Sequence, residues 1–364
     1  MIRLLAGAAV LTLVLGVAFG GGAPEDETNE SPAPPEVEQR NGAVPGLTTG
    51  EGEIRTAEET LTLGHGLEEF MDNMMSGGPP PDGIPSIDDP HFVSADEAGL
   101  DPGDKIIGLA YDGVVRAYPQ HILVYHEIVN HKIGNENIAI TYCPLTATAQ
   151  GFKSGSTTLG VSGRLVNSNL VMYDRDTGSL WPQIAATAVA GRREGETLEE
   201  INLYWTTWAQ WSERYPETEV LSTDTGHVRD YNRDPYGSYN PLGGYYQSDR
   251  TVFPVMHRDD RYHPKHMVLG ARTAERSVFF DLEELSEQGI QKTESFISVY
   301  DRSLDTGYIY LTEDGEAFEY ADGKAMDSRT GEQFAPGELP LEPVVAVEAF
   351  SFAWKAFYPE SEHP

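Results

Sequence analysis

Ile106-Ile107-Gly108-Leu109-Ala110-Tyr111-Asp112-Gly113-Val114-Val115-Arg116-Ala117-Tyr118 sets two apolar runs on either side of Asp112-Gly113. An Asp-Gly pair tolerates positive φ at both central positions of a tight turn, so this stretch predicts an antiparallel hairpin over Ile106–Tyr111 and Val114–Tyr118. Downstream, Pro119 opens a run in which Ile122, Tyr125 and Val129 recur at helical spacing, with proline in the tolerated first turn. The spacing predicts a short helix over 119–129 leading into a strand at Ile138–Tyr142. Gly160–Tyr173 and Thr251–Val255 also read as strands. Trp205–Tyr215 reads as a helix capped by Thr206 or Thr207, with Trp208 and Trp211 on one face. Short strands with few helices make the fold class α+β, mainly antiparallel β.

Upstream, Leu67–Met75 is a short amphipathic stretch and 77–83 (Gly-Gly-Pro-Pro-Pro-Asp-Gly) reads as a hinge, so the compact body is expected from about residue 83 to 364. Its two ends resemble each other. Asp174, Thr177-Gly178 and Trp181 parallel Asp327, Thr330-Gly331 and Phe334; Trp211 precedes Tyr215-Pro216-Glu217 as Trp354 precedes Tyr358-Pro359-Glu360. This order suggests two related lobes, 83–255 and 256–364.

Acidic residues outnumber basic ones 58 to 25 over 364 residues, for a formal net charge of −33. Such a surface repels nucleic acid and anionic lipid, so no nucleic-acid partner is expected. With only seven lysines beside eighteen arginines, and with acids spread along the whole chain, the composition fits a halophilic protein, for which molar salt shortens the Debye length to about 3 Å; an acidic secreted protein from a mesophile is the alternative. Arg3 followed by uncharged Leu4–Phe19 and Gly20-Gly21-Gly22 has the layout of a signal peptide or N-terminal anchor over 1–22, which places the body at the cell surface or outside the cell. Membrane contact is expected only there. Residues 23–82 read as an acidic, Pro/Gly-containing disordered tether carrying the sole glycosylation sequon, at Asn29.

The chemistry centres on Cys143, the only cysteine, which excludes an intrachain disulfide. It reads either as a buried small hydrophobe or as a reactive centre with His126 as base. His126 and His131 are five residues apart, so their rings diverge around a helix and the zinc-protease motif does not apply. A copper or zinc site would have to draw Cys143 together with His126, His121, His257, His263 or His266 in space. Asp174-Arg175-Asp176-Thr177-Gly178 resembles a calcium loop but lacks the terminal glutamate. No nucleotide-binding motif is present, and a metal is a candidate cofactor.

Ala117-Tyr118-Pro119 with His126-Glu127-Ile128-Val129-Asn130, Thr141-Tyr142-Cys143-Pro144-Leu145, Val161–Leu165 with Asn167-Ser168, Met172–Arg175, Thr177–Trp181 and Phe350–Pro359 together resemble the family known as domain of unknown function 3179 (DUF3179), over about Ile84–Pro359. That resemblance implies a bacterial or haloarchaeal source, in keeping with the acidity. The family pattern resembles Tyr-Cys-Pro-Leu-Cys, whereas Thr146 stands here in place of the second cysteine. A dithiol or two-thiolate site needs both sulfurs.

Two functions are expected. The first is a non-catalytic exported binding or structural domain for a small ligand or cell-surface partner, with a polar pocket built from Asn167, Ser168, Asp174, Arg175, Trp181 and Gln183 together with the loop carrying Arg261 and Lys265. The second is a metal-binding, redox or hydrolytic enzyme centred on Cys143 and His126.

Overall fold

The computed structural model describes residues 54–312 and 317–364. The signal or anchor segment 1–22, the tether as far as residue 53 and Asn29 lie outside the described residues.

Residues 54–82, expected to belong to the tether, are instead part of the body. Helix α1 (Leu67–Asp72) buries Phe70 against the Phe357 ring at 5.5 Å, and strand β1 (Met75–Ser76) follows it. Strand β2 (Phe92–Ser94) leads to the hairpin β3 (Lys105–Tyr111) and β4 (Val114–Pro119). Asp112 and Gly113 take φ of +48° and +75° at its turn, as that pair allows.

The helix after Pro119 is shorter than its periodicity suggests. Helix α2 covers only Gln120–Leu123, and Ile128 and Val129, which prolong the apparent helical stripe, lie in strand β5 (Ile128–Ile133). The helix stops because Glu127 adopts the left-handed region, φ +59°, while its N–H still bonds the Leu123 carbonyl at 2.7 Å. Strands β6 (Glu136–Cys143) and β7 (Thr148–Gly155) complete a meander with β5.

The stretch 160–173 is a hairpin rather than one strand. β8 (Leu159–Val166) turns into β9 (Asn169–Asp174) through Asn167 and Ser168, both at positive φ, and β1 pairs with β8. β10 (Leu180–Pro182) follows, then β11 (Glu199–Ile201), β12 (Tyr204–Thr207), helix α3 (Trp208–Arg214) and β13 (Glu219–Leu221). Thr207 caps α3, and both tryptophans of that helix are buried. A tyrosine-rich segment with the small hairpin β14 (Gly237–Tyr239) and β15 (Leu242–Gly244) crosses to the remainder. Residues 251–255 are irregular rather than a strand, because the Ser168 hydroxyl takes up the backbone N–H and carbonyl of Phe253.

The remainder runs β16 (Met267–Arg272), β17 (Ser277–Asp281), α4 (Leu282–Gln288), β18 (Ile290–Lys292), β19 (Phe296–Asp301), β20 (Thr306–Leu311), β21 (Phe318–Ala321), β22 (Lys324–Asp327), β23 (Gln333–Phe334), β24 (Pro343–Val344), β25 (Val347–Phe350) and α5 (Ser351–Phe357). Hairpin, helix, meander, three short strands, two strands and a helix thus occur in the same order in 105–214 and in 267–357.

The sheets agree in part, although β12-β3-β4-β13-β2 has five strands and β17-β16-β25 three. β12 pairs with β3 and β25 with β16, both antiparallel, while β11 and β24 add to the edges of β7 and β20. Trp211 presses on Gly108 and Trp354 on Gly270; a Cβ on either glycine would lie 2.3 or 2.4 Å from the ring. The architecture is therefore mostly antiparallel sheet with few, short helices.

Candidate functional site

Most of the polar residues singled out in the sequence are spent on holding the fold. Asn169, fully buried, donates to Thr146 Oγ1 at 2.9 Å and to Gln183 Oε1 at 2.9 Å, while Gln183 donates to Thr141 Oγ1 at 2.9 Å. Thr146 is thus a closed member of an interior network. Asp174 accepts from Thr177 N–H at 2.6 Å and from the Trp181 indole at 3.0 Å, with both residues buried, so this loop locks the β9–β10 turn and leaves its oxygens occupied. Asn167 binds the Ala356 carbonyl at 3.0 Å and Met256 N–H at 2.7 Å, fixing the β8–β9 turn against the C-terminal helix. Arg175 reaches Asp82, at the end of the segment expected to be a tether, and Ser86 and Asp88 just beyond it.

Arg261 and Lys265 lie apart from these residues and from each other's partners. Arg261 closes a local pair on Asp259, holding that carboxyl well below its usual range. Lys265, 6% exposed, donates to the Arg250 carbonyl at 2.7 Å and sits 4.0 Å from the Tyr245 ring and 4.5 Å from Phe352; burial lowers its ammonium to about 8. None of these eight residues lines either of the two cavities described below. Polar residues buried in satisfied networks look in sequence just like polar residues waiting for a ligand.

Cys143 ends β6, is 1% exposed, and its Sγ accepts from Leu170 N–H at 3.4 Å. Burial pushes the thiol up to about 11, and the nearby Glu127 charge acts in the same direction. His126 is committed elsewhere: one ring nitrogen meets the Pro85 carbonyl at 2.8 Å and the other the Tyr231 hydroxyl at 2.6 Å. Burial depresses this imidazole to about 4. Among the described residues no group of three or more His, Cys, Asp or Glu side chains is placed to hold a metal ion.

The neighbour of Cys143 that matters is Glu127, which stands out in the sequence only as part of a longer motif. Its carboxyl is 8% exposed and has no hydrogen-bond partner among the described residues, and burial pushes it up to about 8. Tyr236 joins the group, its phenol raised by burial and by the Glu127 and Cys143 charges. The recurrent frame shows what is unusual here. In the second meander the residue before β18 is Gly289, at φ +78°, bonding Leu285 as Glu127 bonds Leu123. Tyr142 N–H and Tyr300 N–H donate to the carbonyls of Glu127 and Gly289 in turn. A glycine meets the left-handed position without strain, whereas Glu127 meets it at a cost of order 1–2 kcal/mol. Strain of this kind clusters at functional positions.

Two cavities stand out. One, of about 800 Å³, opens between residues 98–105, α2 and the tyrosine-rich segment. Among its lining groups Gln120 donates to Asp234 at 2.8 Å, and Asp234 also accepts from the Tyr246 hydroxyl behind it at 2.8 Å. The other, of about 250 Å³, has walls from β12, β20 and β25. Tyr204, Trp205, Tyr308 and Tyr310 line it, with Glu348 as its single acid. Nothing in the local sequence announces this pocket, because its walls come from stretches about 40 to 150 residues apart.

These features define a protein of mostly antiparallel β-sheet with few, short helices. The chain belongs to the DUF3179 family: the family model described as a protein of unknown function matches residues 81–361. No curated protein matches the chain, and no solved structure does.

Proposed function

We propose that the chain is an exported, non-catalytic protein that binds a small ligand in the 250 Å³ pocket at the junction of two related halves. The observation that carries this reading is the pocket itself. It is lined by four aromatic side chains and one buried carboxyl, a combination of ring surface with placed polar groups that small-molecule sites also use. The two-halves reading is supported by the repeated element order and by the equivalent Gly108–Trp211 and Gly270–Trp354 contacts. Export is supported by the apolar segment after Arg3, and a halophilic setting by the net charge of −33.

The test is a thermal-shift screen of small metabolites on the full chain and on Ala346→Phe, which projects a ring into the pocket, with circular dichroism to establish that the variant is folded. Compounds that stabilise the wild type are expected to lose their effect in the variant. No shift in the wild type, or equal shifts in both proteins, refutes the reading.

One observation favours a second reading, in which Glu127 serves Cys143 as a proton acceptor: its carboxyl is strained, buried and without a partner beside the only thiol. In that case Glu127→Gln slows alkylation of Cys143 by iodoacetamide in the folded protein at pH 9 at least tenfold, whereas an equal rate, or the faster rate that loss of the Glu127 charge gives by itself, removes the idea.

A further inference from the structure

The pocket between β12, β20 and β25 carries a chemical preference, which rests on the binding role proposed for it. Glu348 is 8% exposed and one carboxylate oxygen accepts from Thr306 Oγ1 at 2.6 Å; the second has no partner among the described residues. The fold does not require an acid at this position. Trp205 occupies the equivalent place on β12, opposite Ile107 as Glu348 is opposite Leu269, and both line the cavity. A buried carboxyl at a position where an aromatic residue also fits is a desolvation cost with no structural return, unless a positive charge comes to it. Around it stand the faces and edges of Tyr204, Trp205, Tyr308 and Tyr310, and electron-rich rings attract organic cations. At about 250 Å³ the space is smaller than the roughly 300–1,000 Å³ of sites for drug-sized ligands.

We propose that this pocket binds a small organic cation, an amine or quaternary ammonium group seated against the aromatic walls with its charge opposite Glu348. Lys105 and, more weakly, Asp305 are the other charged groups acting on that carboxyl, one of each sign.

The probes are tetramethylammonium chloride, methylammonium chloride and the neutral tert-butanol, titrated into the full chain in constant KCl at pH 8.5 while the change in tryptophan fluorescence is followed, with Trp205→Phe as the control that assigns it. That pH keeps Glu348, which burial raises to about 7, ionised. The expected result is saturable binding of at least one cation, with the other cation ranking amine against quaternary ammonium. tert-Butanol is expected to bind at least tenfold more weakly, and Glu348→Gln, with unchanged circular dichroism, to weaken the cation at least tenfold. Cation binding that is unaltered in Glu348→Gln, or tert-butanol binding as tightly as the cations, overturns the assignment of ligand class while leaving a binding pocket. Failure of all three probes overturns the cation proposal, and the metabolite screen then decides separately whether the pocket binds anything.

Discussion

Glu127→Gln tests the claim that this carboxyl is held in the fold against its own preference. The ordinary carboxyl value of 4.5 rises to about 8 on burial, with Cys143 on β6 and Tyr236 on the tyrosine-rich segment as its titratable neighbours. At about 1.36 kcal/mol for each pH unit, the ceiling is ~4–5 kcal/mol of stability withheld from the ionised protein. Relaxation around a real buried charge brings the expected effect to about 2–4 kcal/mol. The sign comes from linkage. A carboxyl whose folded value is raised favours the native state below 4.5, loses that advantage as pH climbs, and has lost it once pH passes about 8. Glutamine keeps the shape and removes the titration. Urea denaturation in constant KCl at pH 4.5, 7 and 9 should therefore find the two proteins within about 1 kcal/mol at the lowest pH, with the variant pulling ahead by about 2–4 kcal/mol at pH 9. Glu127→Gly should add about 1 kcal/mol at every pH by relieving the φ of +59°. A wild-type-minus-variant difference that stays flat from pH 4.5 to 9 refutes the reasoning, because the carboxyl would then be ionising without penalty.

Three further outcomes are expected. Arg272 and Glu200 form an ion pair at 2.8 Å with side chains 1% and 8% exposed, so Arg272→Met should cost about 3–5 kcal/mol in urea denaturation, and adding Glu200→Gln should recover most of it; a single variant within about 1 kcal/mol of wild type would contradict this. Gly108→Ala and Gly270→Ala each drive a Cβ into a tryptophan ring and should cost about 1–3 kcal/mol, whereas Gly243→Ala, which meets nothing within 4 Å, should change stability by no more than about 0.5 kcal/mol by the same assay. With a net charge of −33, thermal stability should rise steeply with KCl up to about 2 M, where screening shortens to a few ångströms, and an unchanged melting temperature across that range would remove the halophilic reading.

The parts of the fold that are legible in the sequence are those decided by a few neighbouring residues. Asp112-Gly113 specifies its hairpin because turn geometry is local, and Thr207 caps α3 because a cap needs only the next three residues. The helix after Pro119 reads too long for a physical reason: Ile128 and Val129 are buried in a sheet, yet their spacing prolongs the helical stripe. Asn167, Asp174, Trp181 and Gln183 are recognisably special, but hydrogen bonds to distant backbone and threonine hydroxyls decide whether such residues serve a ligand or the fold. Glu127 is harder to read. Its signal lies in a comparison with Gly289, four residues after Leu285 as Glu127 is four after Leu123, and that alignment becomes readable only once the two hairpins are superposed in topology.

That comparison suggests where function resides in a chain whose element order recurs. Positions that keep the same chemistry in both copies serve the frame: Gly108 and Gly270 under their tryptophans, and Trp211 and Trp354 donating to Thr218 and Ser361 at 3.0 and 3.1 Å. Positions that differ are free of that duty. Glu127 stands where the other copy has the unstrained Gly289, Cys143 where it has Asp301 at the end of the matching strand, and Glu348 where the first copy has Trp205. Each departure puts a titratable side chain into a buried place that its counterpart fills without one, or, at Asp301, exchanges a thiol for an acid. Stability alone favours the counterpart at Glu127 and Glu348, since strain and desolvation both weigh against the acids. An origin in selection for folding therefore accounts for the shared residues and fails for these two, which makes Glu127 and Glu348 the first positions to substitute in any search for what the protein binds or does.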